Sequence, residues 1–303
     1  MSLHFYNSLH RRVEAFTPIT PGQVALYTCG PTVYDFAHVG NFRAYMFEDL
    51  LRRSLTYAGY AVTQVMNLTD VDDKTIKGSQ RAGLPLADFT RKYKDAFFED
   101  LEALRIQPAE HYPAATEHIQ EMIDLIRALM DKGIAYQAED GSVYFAIARF
   151  PGYGQLVTID PEAQRRSSRT QQDEYDKESV ADFALWKAHN EADGEVSWES
   201  PWGRGRPGWH VECSAMSMKY LGKTFDIHTG GIDNMFPHHE DEIAQSEAAN
   251  GCTFVNYWLH CAHLIVDGEK MSKSLGNFYT LRQILDQGYS GREVRWVLLG
   301  THY

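Results

Sequence analysis

One stretch of the sequence, residues 24–68, constrains the fold more than any other. Residues 24–28 are largely apolar and end at the sharp breaker Cys29-Gly30-Pro31. Apolar side chains then recur at helical spacing, which predicts a helix from residue 37 to residue 58 that ends at a glycine. A second strand is predicted over 62–68. Strand, helix and strand in this order are typical of a parallel sheet with helices on its faces.

The rest of the chain continues this α/β pattern with one interruption. Periodicity predicts helices at 86–104, 117–130, 237–250, 281–286 and 292–299 and strands at 143–147, 225–228 and 257–266. Because sheet-like patterning is lost and resumes only near residue 205, we predict an insertion over 108–204. The catalytic domain then has two halves, 1–107 and 205–262, and is followed by a segment, 263–303, with a polar loop and two helices.

Bulk composition narrows the function classes. The 303 residues are 44% hydrophobic and 23% charged, which is ordinary for a globular protein. A net charge of −12 argues against a broad surface that coats nucleic acid, although it permits a local basic groove. No apolar run approaches the roughly 20 residues of a membrane helix, and residues 1–16 do not resemble a signal peptide, so we expect a cytoplasmic protein without membrane contact. Four cysteines without CxxC spacing argue against a disulfide framework, and Cys252 and Cys261 are expected to be core thiols.

Two separate stretches carry residues suited to phosphate groups. His38, Gly40 and Asn41 lie where the first predicted helix begins, and helix amides with an imidazole suit an anion. Lys270 and Lys273 lie in a polar, glycine-bounded loop and suit the charge of a pyrophosphate leaving group. Taken alone, each stretch also fits a plainer interpretation: a capping histidine beside a packing glycine, and a solvated charged loop.

Four residues from distant parts of the chain suit a zinc ion. Cys29 ends the first strand and Cys213 opens a predicted helix, while His238 and Glu242 are four residues apart on one helix face. Thiolate, imidazole and carboxylate are all good zinc ligands. The residues alone leave open the alternative of two buried thiols and an exposed polar turn.

Longer motifs resemble one family. Residues 38–41, His-Val-Gly-Asn, resemble the HIGH motif with Asn in its fourth position, and residues 270–274 are identical to the KMSKS motif. Both motifs are hallmarks of class I aminoacyl-tRNA synthetases. The motifs of cysteinyl-tRNA synthetases are matched by Thr28–Asp35, Asn67–Lys74, Gly205–Ser214 and Phe236–Gln245. The chain therefore resembles that family from about residue 3 to residue 303.

The resemblance implies a fold, a set of ligands and a set of site residues. The fold is a Rossmann-like, doubly wound parallel-sheet catalytic domain with an inserted connective peptide and a C-terminal helical segment that contacts the tRNA stem. The ligands are L-cysteine, tRNA(Cys), ATP with magnesium, and one zinc ion per chain, and a monomer is expected. The implied residues are Cys29, Cys213, His238 and Glu242 for zinc; Gly30, Thr69, Trp209 and His228 for the substrate; and His38, Gly40, Asn41, Gly230, Asp233, Lys270 and Lys273 for ATP and catalysis.

The implied reaction has two steps. The carboxylate of cysteine attacks the α-phosphate of ATP to give cysteinyl-adenylate and pyrophosphate, and the cysteinyl group then passes to the terminal adenosine of the tRNA. Shape alone separates cysteine from the nearly isosteric serine by only ~1–3 kcal/mol. Zinc prefers an ionised sulfur, so it would supply the missing discrimination without an editing domain.

Two other interpretations stay open. A related ligase that transfers cysteine to an amino-sugar would share both phosphate motifs, but Asp72-Asp73-Lys74 and Glu242 favour the synthetase. A binding module without activity is not expected to keep His38, both loop lysines and every zinc ligand. Synthetases of this family continue past this point into a helical domain that reads the anticodon, so we expect weak tRNA charging by these 303 residues.

Overall fold

The computed structural model describes residues 2–157, 182–266, 269–271 and 278–300. Within these ranges the helices are α1 Val39–Tyr57, α2 Asp73–Ala82, α3 Leu86–Ala103, α4 Ile119–Asp131, α5 Trp209–Leu221, α6 Glu240–Asn250, α7 Leu281–Asp286 and α8 Gly291–Gly300. The strands are β1 His4–Asn7, β2 Arg12–Ala15, β3 Gln23–Thr28, β4 Ala61–Met66, β5 Ala135–Gln137, β6 Val143–Phe145, β7 Phe183–Ala188, β8 Gly205–Pro207, β9 Phe225–Gly231, β10 Val255–Cys261, β11 Ile265–Val266 and β12 Glu269–Lys270. None of the helices described is both long and apolar enough to cross a bilayer.

A four-stranded parallel sheet in the order β10-β9-β3-β4 forms the centre of the fold. Helix α1 connects β3 to its neighbour β4, which is the βαβ unit expected from residues 24–68. Leu26 and Ile227 pair across β3 and β9 and are fully buried, as expected for a sheet covered on both faces. The carboxyl ends of the parallel strands meet at one edge, where ligands bind in open α/β sheets. The predicted Rossmann-like parallel sheet is confirmed.

The strand predicted over 257–266 is wrong at its end. Strand β10 stops at Cys261, because that residue pairs with Gly231, the last residue of β9, and no further β9 backbone is left to pair. Strands β11 and β12 then form a short antiparallel pair where the start of the polar loop was predicted. The rest of that loop, residues 272–277 with Lys273, lies outside the described residues.

Two short elements near the ends of the sheet were not predicted. Strands β1 and β2 pair as an antiparallel ladder close to the N-terminus. The helix predicted over 237–250 begins only at Glu240, after a π-helical turn over Met235–His239. Strands of four residues and single turns carry too little periodicity to be recognised in a sequence.

A second sheet, antiparallel and in the order β5-β6-β7-β8, lies largely within the predicted insertion. Its buried aromatic side chains, Phe145 of β6 and Trp186 of β7, share one core with Met122 of α4 and Met216 of α5. Strand β8 pairs with β7 of this sheet and leads directly into α5. Its residues were predicted to begin the second half of the catalytic domain, but their backbone pairing places them in the inserted sheet. The domain boundary at residue 205 remains a prediction.

A separate core joins α1 to the two C-terminal helices. Phe42 of α1 packs in it with Leu281 of α7 and Leu298 of α8. The guanidinium of Arg43 donates to the Leu298 carbonyl at 2.6 Å. Met271 is buried in the same core. These contacts hold the C-terminal segment against α1.

Candidate active site and metal centre

A cavity of about 400 Å³ opens at the carboxyl edge of the parallel sheet. Most of the predicted site residues that the structure describes line it: Cys29, Gly30, His38, Gly40, Asn41, Thr69, Trp209, Cys213, Asp233 and His238. His228, Gly230 and Glu242 do not line the cavity and are buried behind its wall. Gly230 is bonded to Gly231 in the wall, Glu242 lies 3.1 Å from His238 in the wall, and His228 lies 3.0 Å from Glu242. The structure therefore brings the two halves of the predicted site together around one space.

His38 and Asn41 cap the start of α1 reciprocally. The Asn41 amide donates to His38 Nδ1 at 3.2 Å, and the His38 amide donates to Asn41 Oδ1 at 3.1 Å. Because Nδ1 accepts a hydrogen bond, the neutral ring carries its proton on Nε2, which is therefore a donor. A Cβ at Gly40 would lie 2.9 Å from the His38 ring, so this ring position requires glycine there. The Asn in the fourth motif position is thus explained as a helix cap.

The residues around the lysine loop meet the start of α1. The Val39 amide donates to the Tyr279 carbonyl at 2.9 Å, and the Phe278 ring packs edge-on against His38, 4.9 Å between centroids. Met271 and Phe278 both line the cavity. The two ends of the predicted phosphate loop therefore lie beside the predicted phosphate-binding helix start, although Lys273 itself is outside the described residues.

Cys29, Cys213, His238 and Glu242 form a buried cluster. Their ligand atoms all lie within 4.8 Å of one another. Glu242 Oε1 is buried 3.1 Å from His238 Nε2, yet it accepts no hydrogen bond from any residue that the structure describes. Two thiols, an imidazole and a carboxylate with an orphaned oxygen are a donor set that zinc prefers. The residues fit the metal that the sequence predicted.

A second possible ligand set shares two of these residues. Cys29 and Glu242 also cluster with His228 and His239 within the same 4.8 Å limit. His239 Nε2 lies 3.3 Å from Cys29 Sγ, and His228 Nε2 lies 3.0 Å from Glu242 Oε2. His239 was not among the predicted ligands, although the adjacent histidines at 238 and 239 were a signal for it. The first set has two sulfurs and borders the cavity, so it is the better site for a zinc ion that meets a ligand.

A chain of polar groups orients the His238 ring from behind. His238 Nδ1 lies 2.9 Å from His210 Nδ1, and His210 Nε2 lies 3.3 Å from Asp241 Oδ2. Tyr153 donates its hydroxyl to Asp241 Oδ1 at 2.5 Å. The Asp241 carboxylate beside His210 Nε2 favours the His210 tautomer with its proton on that nitrogen. His210 Nδ1 then accepts, and His238 Nδ1–H donates to it. This leaves the Nε2 lone pair of His238 for a metal.

Burial keeps the cluster uncharged when no cation is bound. Burial lowers the pKa of His238 and of His228 to about 3 and raises the pKa of Glu242 to about 8. A hydrogen bond with Cys213, together with burial, raises the pKa of the Cys29 thiol well above its usual range. Metal binding requires thiolate and carboxylate, so a cation would bind with release of protons.

The predicted substrate contacts form a connected wall beside this cluster. Asn67 accepts from the Gly30 amide at 3.0 Å and donates to Thr69 Oγ1 at 3.2 Å, and Thr69 donates to the buried Glu212 at 3.0 Å. A Cβ at Gly30 would lie 1.8 Å from the Asn67 carbonyl oxygen, so the position requires glycine. The Trp209 indole stacks on the His238 ring with centroids 4.3 Å apart.

The two cysteines expected in the core differ. Cys261 is buried at the end of β10 and lines the cavity. Cys252 is exposed, so its assignment as a core thiol was wrong. It lies in the turn between α6 and β10, where the chain runs over the surface.

The sequence profile of the family described as tRNA synthetases class I (C) catalytic domain matches residues 15–303. The chain belongs to this family. It is 62% identical over 301 residues to the cysteine–tRNA ligase of Brachyspira hyodysenteriae (strain ATCC 49526 / WA1), covering 99% of this chain and 63% of that protein. It is 59% identical over 304 residues to the cysteine–tRNA ligase of Protochlamydia amoebophila (strain UWE25), covering 99% and 64%. The chain thus spans less than two thirds of the length of these relatives.

Solved structures of lower sequence identity support the family's fold. A Mycobacterium tuberculosis methionyl-tRNA synthetase in complex with methionyl-adenylate matches with a TM-score of 0.67 at 18% identity, covering 91% of this chain and 64% of that one. A putative arginyl-tRNA synthetase from Campylobacter jejuni matches with a TM-score of 0.57 at 13% identity, covering 92% and 63%. The class I synthetase fold expected from the sequence motifs is confirmed.

Proposed function

We propose that this protein activates L-cysteine with ATP and transfers the cysteinyl group to tRNA(Cys). The observation that carries the proposal is the buried cluster of two thiols, an imidazole and a carboxylate, three of whose residues line the same cavity as the capped start of α1. Relatives named cysteine–tRNA ligase match nearly the whole chain and support the same activity. A transfer of cysteine to an amino-sugar is the alternative.

Cys29, Cys213, His238 and Glu242 would hold a zinc ion, which would supply a Lewis acid that prefers an ionised thiol to a hydroxyl. Trp209, Thr69 and Gly30 would surround the cysteine in the adjoining wall. His228 lies behind Glu242, 3.0 Å from its Oε2, and would act through that carboxylate rather than by touching the substrate.

The part of the cavity beside the start of α1 would hold ATP, with magnesium on its phosphates. His38 Nε2–H and the first amides of α1 would donate to phosphate oxygens, while Gly40 leaves space for the nucleotide. Asp233, half-exposed and 3.9 Å from His263, would bind the ribose beside Gly230. A cysteine carboxylate oxygen bonds to the α-phosphorus, and the bond to pyrophosphate breaks. Lys270 and Lys273 would stabilise the charge on the departing pyrophosphate.

Cysteine-dependent exchange of labelled pyrophosphate into ATP tests the first step. We expect exchange with cysteine and exchange with serine that is slower by more than about 200-fold, since shape alone discriminates only about 10–200-fold. Absence of exchange, or equal exchange with both amino acids, would contradict the proposal. Incubation of the adenylate with tRNA(Cys) or with an amino-sugar then separates the synthetase from the alternative ligase.

A further inference from the structure

Contacts between cations and aromatic rings concentrate beside the mouth of the cavity. Lys74 Nζ lies 5.3 Å from the ring centroid of Tyr34, and Lys92 Nζ lies 5.4 Å from that of Phe36 and 5.3 Å from that of Tyr93. The guanidinium carbon of Arg282 lies 5.2 Å from the Phe36 centroid. Every cation–π contact between two described residues falls in this group. We call it the cation–aromatic rim: Tyr34, Phe36, Lys74, Lys92, Tyr93 and Arg282.

The rim leads from the cavity to the protein surface. Tyr34, Phe36 and Lys74 line the cavity itself. Phe36 packs edge-on against Tyr93 of α3, 5.4 Å between centroids, and Lys92 beside it is exposed. The rim therefore joins aromatic side chains of the cavity wall to a cation on the exposed side of α3.

The two lysines of the rim are not needed to neutralise protein charge. No ion pair joins Lys74 or Lys92 to any residue that the structure describes, whereas Lys94 pairs with Asp70 at 2.6 Å. Lys74 also lies in the first turn of α2, where the helix dipole disfavours a cation. Among the described residues that line the cavity, it is the one lysine or arginine. Its charge is therefore available to an anion that enters the cavity.

We propose that the cation–aromatic rim binds the unpaired 3′-terminal nucleotides of the RNA substrate on their way to the adenylate. This inference rests on the proposed function. Bases stack on aromatic faces regardless of their sequence, and lysines between the rings meet the phosphodiester groups. A chain of net charge −12 offers little general attraction to RNA, so a local basic and aromatic path would be needed to guide the strand.

The test compares two RNA hairpins, one with an unpaired 3′ tail and one without it, labelled at the 5′ end and followed by fluorescence anisotropy. The variants are Lys74→Ala, Lys92→Ala and the double variant. Lys77→Ala is the matched control, because Lys77 is exposed on the same helix α2 but lies outside the rim. Tyr34→Phe and Tyr34→Leu separate the aromatic face from the hydroxyl.

The protein should bind the tailed hairpin more tightly than the tailless one, and the double variant should lose this difference. Lys92→Ala should keep cysteine-dependent pyrophosphate exchange, because Lys92 lies outside the cavity lining. Each lysine lost should reduce the slope of log affinity against log salt by about 0.7, the value for one phosphate of a single strand. Tyr34→Leu should weaken tail binding about tenfold and Tyr34→Phe should not, given the stacking contribution of one ring.

Three results would overturn the inference. The tail preference could persist in the double variant, Lys77→Ala could lose as much affinity as the rim variants, or the double variant could lose exchange while it still binds the tail. The last result would assign the rim to ATP. Failure of the proposed function shows separately, as absence of cysteine-dependent exchange in the unaltered protein.

Discussion

At the scale of single residues, Cys213 distinguishes the two ligand sets that share Cys29 and Glu242. We expect Cys213→Ser to lose bound zinc, because a serine hydroxyl is a much poorer ligand than a thiolate. His239→Gln should keep the metal, since His239 belongs only to the other set. Metal analysis after dialysis against a chelator measures both. The opposite pattern would place the metal between His228 and His239 instead.

Asp241 is expected to support the metal without touching it. Asp241→Asn removes the charge that fixes the His210 ring, so His238 would no longer present Nε2 reliably. Loss of such a supporting group typically weakens metal binding about 10–100-fold. Competition with a chromophoric chelator gives the affinity, and Asp124→Asn on the surface of α4 is the control. An unchanged affinity would show that the His210 contact does not position the ligand.

The four ligand residues could be named because the family resemblance implies them; ligand chemistry and the four-residue spacing of His238 and Glu242 agree with it but left open two buried thiols and a polar turn. Their supports could not be named. Tyr153, His210 and Asp241 come from three separate elements, and nothing in their local patterns indicates that they meet. The roles of His38 and Asn41 as mutual caps also required the backbone positions of the helix start.

At the scale of elements, Arg206 of β8 ties the inserted sheet to α2. It donates to Asp193 at 2.8 Å and pairs with Asp73, whose other oxygen lies 3.2 Å from Lys187. Burial opposes ionisation of Asp73, but the charges of Lys187 and Arg206 outweigh it and lower its pKa. The ion pairs therefore set the position of the helix that carries Lys74.

Arg206→Ala should destabilise the protein by about 3–5 kcal/mol, because it leaves the buried Asp193 carboxylate without its guanidinium partner. Urea unfolding followed by circular dichroism measures the change. Arg204→Ala, two residues away and exposed, should alter the free energy of unfolding little. Equal stability of the two variants would mean that solvent replaces Arg206 without cost.

Most of the longer elements were predicted, but helix α2, which has few apolar side chains, and strand β7 were not. The helices and strands of the first βαβ unit were placed within two residues or so of their observed ends. The three-residue strands β5 and β8 were missed because alternation needs more residues to be recognised. The end of β10 was set by the length of its neighbour β9, which is a tertiary property.

At the scale of the whole molecule, Asp100 should make stability depend on pH. It is buried where α3 meets α7, and burial raises its pKa from 3.8 to about 6 against the opposing charge of Arg282. The folded protein then holds a proton that the unfolded chain releases, so the free energy of unfolding should fall as pH rises from about 4 to about 6. Asp100→Asn should flatten this part of the profile. Thermal unfolding of the unaltered protein and of each variant across that pH range measures the change, and Asp95→Asn is the control because Asp95 is exposed. Parallel stability profiles for the unaltered protein and Asp100→Asn would contradict the assignment to Asp100.

The stacking of indoles on the site histidines gives the protein an optical reporter. Trp209 lies on His238, and Trp258 lies on His228 with centroids 4.5 Å apart and planes inclined by 18°. Protonation or metallation of an imidazole changes how strongly it quenches the emission of a ring in contact with it. Filling of the cavity can therefore be followed in real time by intrinsic fluorescence, with Trp209→Phe and Trp258→Phe separating the signal of the cavity wall from that of the buried sheet.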